Sequence, residues 1–133
     1  MRKWSTGAAR GALFAMLLTL PGCLLAAAGA GAGAGIFLTT RGASSLVNAS
    51  VEDVAARTRA VFEEMNITVL KSSEERGGDK REVSGQRGDM EVDVSMERKS
   101  PTTTDVEVTA KRNVADYDKD FAKSVLSRII EHQ

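Results

Sequence analysis

Cys23 is the residue of this chain whose position, as well as its type, invites chemistry. It is the sole cysteine, in "LPGCLLAAAG", so its thiol has no partner within the chain for a disulfide. Nucleophilic work would need a base beside the thiol, and the single histidine, His132, stands at the opposite terminus. No serine has a plausible base either. The carboxylates come next. Asp116, Asp118 and Asp120 alternate in "DYDKD" as they would at the head of a calcium loop, but that loop also requires a glycine and a later glutamate at fixed offsets, and neither follows. Glu91, Asp93 and Glu97, with Asp105 and Glu107, alternate with apolar residues and are expected on a solvated face, where water competes with any stabilisation a catalytic acid would need. No catalytic, cofactor-binding or metal site is expected, and the chain reads as a non-enzyme.

The surroundings of Cys23 give the thiol a different role. Arg2, Lys3 and Arg10 form a basic head with no acid among them, and "GALFAMLLTL" follows as an apolar run. Pro21 and Gly22 then interrupt it, and small residues succeed Leu25. This is the anatomy of an export signal, whose apolar stretch typically runs about 7–15 residues. From Gly11 to Thr40 there is no charged residue, enough to cross a bilayer that needs about 20 apolar residues, so an uncleaved anchor remains the alternative. Leu20, Pro21, Gly22 and Cys23 resemble the bacterial lipobox, with Pro21 a departure from the small or hydroxylic residue more usual there. The resemblance implies that the thiol is joined to a diacylglycerol, that the bond before it is cut, and that the new amino terminus is acylated with palmitate-like chains. One acyl chain holds a protein marginally and two or three hold it firmly. Loss of residues 1–22 removes three basic residues from a chain with 18 basic and 18 acidic ones, leaving a slightly acidic protein with no electrostatic case for nucleic acid.

The next segment, "AAAGAGAGAGIFLTT", spaces Gly29 with Gly33 and Gly31 with Gly35 as a close-packing helix would. Glycine costs about 1 kcal/mol relative to alanine in a helix, and alternating Gly and Ala also suits a flexible tether. A phosphate cradle is excluded, since no Lys-Ser/Thr follows. Three parts are therefore expected: a lipoprotein-type signal over 1–22, lipidated Cys23 with a Gly/Ala-rich tether over 23–41, and a folded domain over 42–133.

Periodicity defines that domain. "ASSLVNA" is a short candidate strand. Ser50 can cap a helix with Asp53 three residues on and Glu52 in the first turn, and Val51, Val54, Ala55, Thr58, Val61, Phe62 and Met65 form one apolar stripe ending near Asn66. "NITVLKS" and "EVSGQ" flank a turn at Gly77-Gly78, and Gly88-Asp89 leads into the clearest strand. There Met90, Val92, Val94 and Met96 alternate with Glu91, Asp93, Ser95 and Glu97. After "KSPTTT", Thr104, Val106, Val108 and Ala110 alternate likewise. From about Ala115 a second helix sets Tyr117, Phe121, Val125 and Ile129 at four-residue steps, with acids near its start. The pattern predicts an α+β two-layer sandwich, an antiparallel sheet of about four to five strands with two helices on one face. Its core is expected to hold Val54, Val61, Phe62, Val92, Val94, Val106, Phe121, Val125 and Ile129.

The order of lipobox, "AAAGAGAGAG" run, weak strand, helix, antiparallel strands and terminal helix resembles a family of small bacterial lipoproteins carrying a domain of unknown function. The resemblance implies a cell-envelope location, anchored by covalent lipid on Cys23, and no catalytic residue. Leu24, rather than aspartate, after the cysteine resembles lipoproteins held at the periplasmic face of the outer membrane. The expected role is a non-enzymatic binding or structural module that meets an envelope protein or the cell wall. The alternatives are an uncleaved glycine-zipper anchor that oligomerises, or a periplasmic enzyme working through carboxylates. Intact mass of protein extracted from membranes decides the processing: the expected species begins at an acylated Cys23, and Cys23→Ala should leave the precursor uncut. A free thiol or a retained Met1 would refute this.

Overall fold

A computed structural model describes residues 35–132 of the chain. Cys23, the expected lipidation site, and the Gly/Ala run through Ala34 lie outside the described residues. The elements are β1 (Phe37–Leu38), β2 (Gly42–Val47), α1 (Val51–Glu64), β3 (Thr68–Glu75), β4 (Lys80–Arg87), β5 (Met90–Ser100), β6 (Thr103–Lys111) and α2 (Lys119–Glu131), with a short 3-10 turn over Arg76–Gly78. The six strands form one sheet in the order β1-β2-β6-β5-β4-β3, antiparallel throughout. The strand count exceeds the four to five expected. The sixth is β1, two residues that pair Phe37 with Ser44 and Leu38 with Ala43. A two-residue strand carries no period of its own, so alternation could not reveal it. It lies before the boundary at residue 42.

The alternation read in β5 and β6 becomes the middle of the sheet. Val92 faces Ala110, Val94 faces Val108 and Met96 faces Val106, all buried on one side. Glu91, Asp93, Ser95 and Glu97 look the other way, as period two requires. Both helices cover the buried side, α2 lying over β2 and β6 and α1 over β4 and β5. Chain direction explains the division. After β2 the chain crosses as α1 to the far edge, lays down β3, and returns strand by strand through β4 and β5 to place β6 beside β2.

Both ends of α1 are closed at residues read from the sequence, the first by side chains and the second by backbone. The Asp53 N–H donates to Ser50 Oγ at 3.1 Å, and the Ser50 hydroxyl donates to Asp53 Oδ2 at 2.8 Å. At the other end Asn66 takes φ +56, the left-handed region that Asn tolerates better than most residues. The Ile67 N–H then reaches Phe62 O at 2.7 Å and the Asn66 N–H reaches Glu63 O at 3.2 Å, the paired bonds of a Schellman ending. Between β4 and β5, Gly88 at φ +60 occupies the first central position of a two-residue hairpin loop, the place a II′ turn reserves for glycine.

The start of α2 differs from expectation. Its first turn begins at Lys119, not near Ala115, because Asn113 Oδ1 accepts from the backbone N–H groups of Ala115 and Asp116 and holds that stretch as a turn. Tyr117 then bridges to Lys111 at the sheet margin and does not join the helical stripe. Asp118 caps the helix, its Oδ1 accepting from the Phe121 N–H at 2.9 Å, so the "DYDKD" aspartates include a helix cap. Phe121 is a second correction. In the first turn, at the edge of the core, it is only half-buried, and its ring lies under the Arg87 guanidinium at 5.4 Å.

Eight of the twelve largest fully buried side chains are valines, and Phe62 is the only aromatic among them. A thin valine layer leaves no room for a phenyl ring unless the sheet gives way beneath it. It does so at Gly85, where an added Cβ would lie 2.8 Å from Phe62 Cε2 and 2.7 Å from Ile67 Cγ2. In denaturant unfolding, Gly85→Ala is expected to cost about 1–3 kcal/mol through overpacking. Phe62→Ala should cost about 3–5 kcal/mol, and Phe121→Ala clearly less than Phe62→Ala. Equal losses at the two phenylalanines would contradict this packing.

Candidate functional site: the open face of the sheet

The helices occupy one side of the sheet, so any recognition by the strands falls to the other. Register determines which side chains share it. Along β5 and β6 the pairs Glu91 with Lys111, Asp93 with Thr109, Ser95 with Glu107 and Glu97 with Asp105 stand side by side facing outward. β4 contributes Glu82 opposite Ser95 and Gln86 opposite Glu91, and β2 contributes Ser44 opposite Glu107 and Leu46 opposite Asp105. The acids predicted for the solvated face are therefore brought together on one surface.

Two lysines organise most of them. Lys99 Nζ lies 3.3 Å from Glu97 and 3.7 Å from Asp105, and Lys111 Nζ lies 3.5 Å from Glu91 and 3.6 Å from Asp93. Partial burial pulls the Lys111 ammonium down, but Asp93 and Glu91 more than offset that and hold it above the ordinary lysine range. It stays charged at every physiological pH. Glu107 has no ionic partner among the described residues. It lines a shallow concavity of about 180 Å³ with Ser44, Ser95, Glu97, Asp105 and Thr39. A larger groove of about 490 Å³ opens beyond Lys111, between Leu70 on β3 and the turn carrying Arg112, Val114 and Tyr117. Among the described residues no group of three His, Cys, Asp or Glu could hold a metal ion. His132 caps α2, its Nε2 3.2 Å from Glu64 Oε1, and so links the ends of the two helices.

A second charged cluster, which sequence reasoning missed, lies on the helix side. Arg98 Nη2 meets Glu52 Oε1 at 2.6 Å while its Nε meets Asp79 at 3.0 Å, and Arg81 reaches Glu74 at 3.3 Å and Glu52 at 3.8 Å. Arg81 Nε is shut off from solvent without an acceptor, so that guanidinium is held through its Nη2 end. The cluster depends on a bulge. Val69 pairs with Gly85 but Lys71 pairs with Ser84, so Leu70 is an extra residue and every later side chain of β3 changes face. That turns Glu74 toward Arg81. Composition has no mark for a bulge, and only the first-turn position of Glu52 was legible.

The Glu52 carboxyl is held below the ordinary glutamate range, first by a hydrogen bond from its own backbone N–H and next by the Arg98 guanidinium. A depressed acid adds stability that is present above its unfolded value, about 4.3, and is lost as pH falls through the lower folded value. Carbon-detected NMR titration should therefore find Glu52 ionising below that figure. In Arg98→Ala it should rise partway, since the backbone bond remains. The stability gap between the two proteins should be open at neutral pH and close in acid. A Glu52 titration indifferent to Arg98→Ala would remove the guanidinium from this account.

Among the described residues no helix is long and apolar enough to cross a membrane. No curated protein matches the chain. Residues 9–127 match the family described as protein of unknown function (DUF3568). The match starts before the apolar run and extends into α2, covering both the segment around Cys23 and most of the folded domain, and the chain belongs to the DUF3568 family.

Proposed function

We propose that this protein is a bacterial cell-envelope lipoprotein, anchored by acyl chains on Cys23 at the periplasmic face of the outer membrane, whose domain is a non-enzymatic binding or structural module. The observation that carries the reading is placement. Cys23 precedes β1 by fourteen positions, and β1 is an outer strand of the sheet. A lipid at residue 23 is thus attached at one edge, and the open face, two strands further in, is left clear for a partner. The family match supports the same reading by taking in the apolar segment and the domain together.

The open face suits recognition. Lys99 and Lys111 each bridge two carboxylates, which gives a patterned surface of charge pairs with hydroxyls and with Glu107 and Glu82, on either side of Ser95, outside any ion pair among the described residues. Such a mosaic offers specificity through charge complementarity. The partner is an envelope protein or the cell wall.

Crosslinking of the full chain in cells, followed by mass spectrometry, tests this without assuming a substrate. The expected result is one reproducible envelope partner, lost when Asp105→Lys and Glu107→Lys are combined. No partner together with a hydrolytic activity abolished by a single carboxylate substitution would overturn the module in favour of an enzyme. A retained Met1 with ladders of self-crosslinks would favour the glycine-zipper anchor. Recovery in the inner-membrane fraction would refute the outer-membrane placement alone.

A further inference from the structure

Among the described residues six large apolar side chains are exposed: Val114 on a loop, Val69 and Leu70 on β3, and three on the hairpin nearest Cys23 in the chain. Phe37 is 54% exposed, Leu38 57% and Leu46 42%, and all three belong to the β1–β2 hairpin at one edge of the sheet. Phe37 pairs with Ser44 and so stands diagonally beside Leu46 on the open face, while Leu38 pairs with Ala43 and points to the helix side. The apolar surface therefore wraps around the edge. The tip is held in shape: Thr39 Oγ1 accepts from the backbone N–H groups of Gly42 at 3.0 Å and Arg41 at 3.3 Å, and the Thr39 N–H donates to Gly42 O at 2.9 Å. Arg41, exposed at that tip, forms no ion pair with the other described residues.

We infer that this hairpin is a membrane-contact element: Phe37, Leu38 and Leu46 enter the interfacial layer of the bilayer while Arg41 meets lipid phosphates, so that the sheet stands edge-on. The inference rests on the lipid anchor proposed above. Fourteen residue steps separate Cys23 from Phe37, a contour of at most about 50 Å, so an anchored domain stays beside the bilayer, and β1 is the first described element after the anchor along the chain. Apolar side chains flanked by a cation match the chemistry of the headgroup boundary. The alternative of laying the open face on lipid would press Glu107 and Asp105 against anionic headgroups, which repel them. Edge-on contact keeps those acids a strand or more away and leaves the open face free.

Trp4, the only tryptophan, precedes Cys23, so the processed chain has none and a single introduced indole reports its own surroundings. The full chain carrying Phe37→Trp, Leu46→Trp or Leu70→Trp would be expressed for lipidation, checked by intact mass, and reconstituted in vesicles of phosphatidylethanolamine and phosphatidylglycerol containing acyl-brominated lipid. Leu70 is the control, because it is 61% exposed on β3 and lies five strand spacings, roughly 24 Å, from β1. Bromolipid should remove about half the emission of Phe37→Trp and Leu46→Trp and leave Leu70→Trp within about a tenth of its value, with the first two blue-shifted on reconstitution. Acylated protein whose Phe37→Trp and Leu46→Trp emission resists bromolipid would overturn this inference and leave the anchor standing. A blue shift that grows with protein concentration but ignores bromolipid would mean that two hairpins pair with each other, and would also overturn it. Absence of acyl mass on Cys23 would overturn the anchor and the inference together.

Discussion

Phe62 rests on bare backbone at Gly85, and the arrangement of the domain follows from that contact. The valine-rich layer between helices and sheet is thin, and the one large ring within it needs a vacancy in the opposing strand. With Phe62 seated there, α1 lies over β4 and β5 at a fixed height. Its Schellman ending brings Ile67 onto the same glycine, and the chain leaves directly into β3. The crossover from β2 to the far edge is thus determined where the helix ends, and the meander through β4, β5 and β6 has one way to return. Close packing of this kind tolerates little change in volume.

The buried threonine hydroxyls enter the interior with partners. The Thr104 hydroxyl donates to Ala49 O at 2.9 Å, tying the turn before α1 to β6, and the Thr58 hydroxyl donates to Val54 O at 2.8 Å within the helix. Charges gather in two places instead. On the helix side, two arginines and three acids join the first turn of α1 to β4, β5 and the turn between β3 and β4. On the open side, lysines bridge carboxylates across β5 and β6. The first cluster ties the start of α1 to the sheet beneath it. The second leaves a patterned surface exposed.

The two edges of the sheet are managed in opposite ways. β3 is eight residues long and exposes Val69 and Leu70, but the bulge at Leu70 disturbs its ladder and the charges of Lys71, Glu74 and Glu75 follow along it. β1 is only two residues long, apolar and without charge. An edge protected against association and an edge left apolar beside the segment that leads to Cys23 imply different neighbours. The inference that the β1–β2 hairpin meets lipid takes up that asymmetry.

Sequence alone determined what period and local chemistry encode. Strict alternation in β5 and β6 gave the buried and wetted faces residue by residue, because side chains alternate sides with period two whatever the partner strand. The stripe from Val51 to Phe62, with Ser50 and Asp53 before it and Asn66 after it, set α1 to within a residue or two, since capping bonds form between near neighbours. The α+β class and the acids of the open face were legible for the same reason, and the pattern around Cys23 raised the anchoring expectation. Tertiary structure decided whatever depends on residues far apart in the chain. β1 exists as a strand only because β2 lies beside it. The bulge that turns Glu74 toward Arg81 appears only once β3 is aligned on β4. Phe121 lost its expected core place because Asn113 and Tyr117 hold the preceding loop against the sheet and delay α2 until Lys119. The seat of Phe62 on Gly85 joins residues that no local pattern connects, for packing is a property of surfaces in contact and not of spacing along a chain.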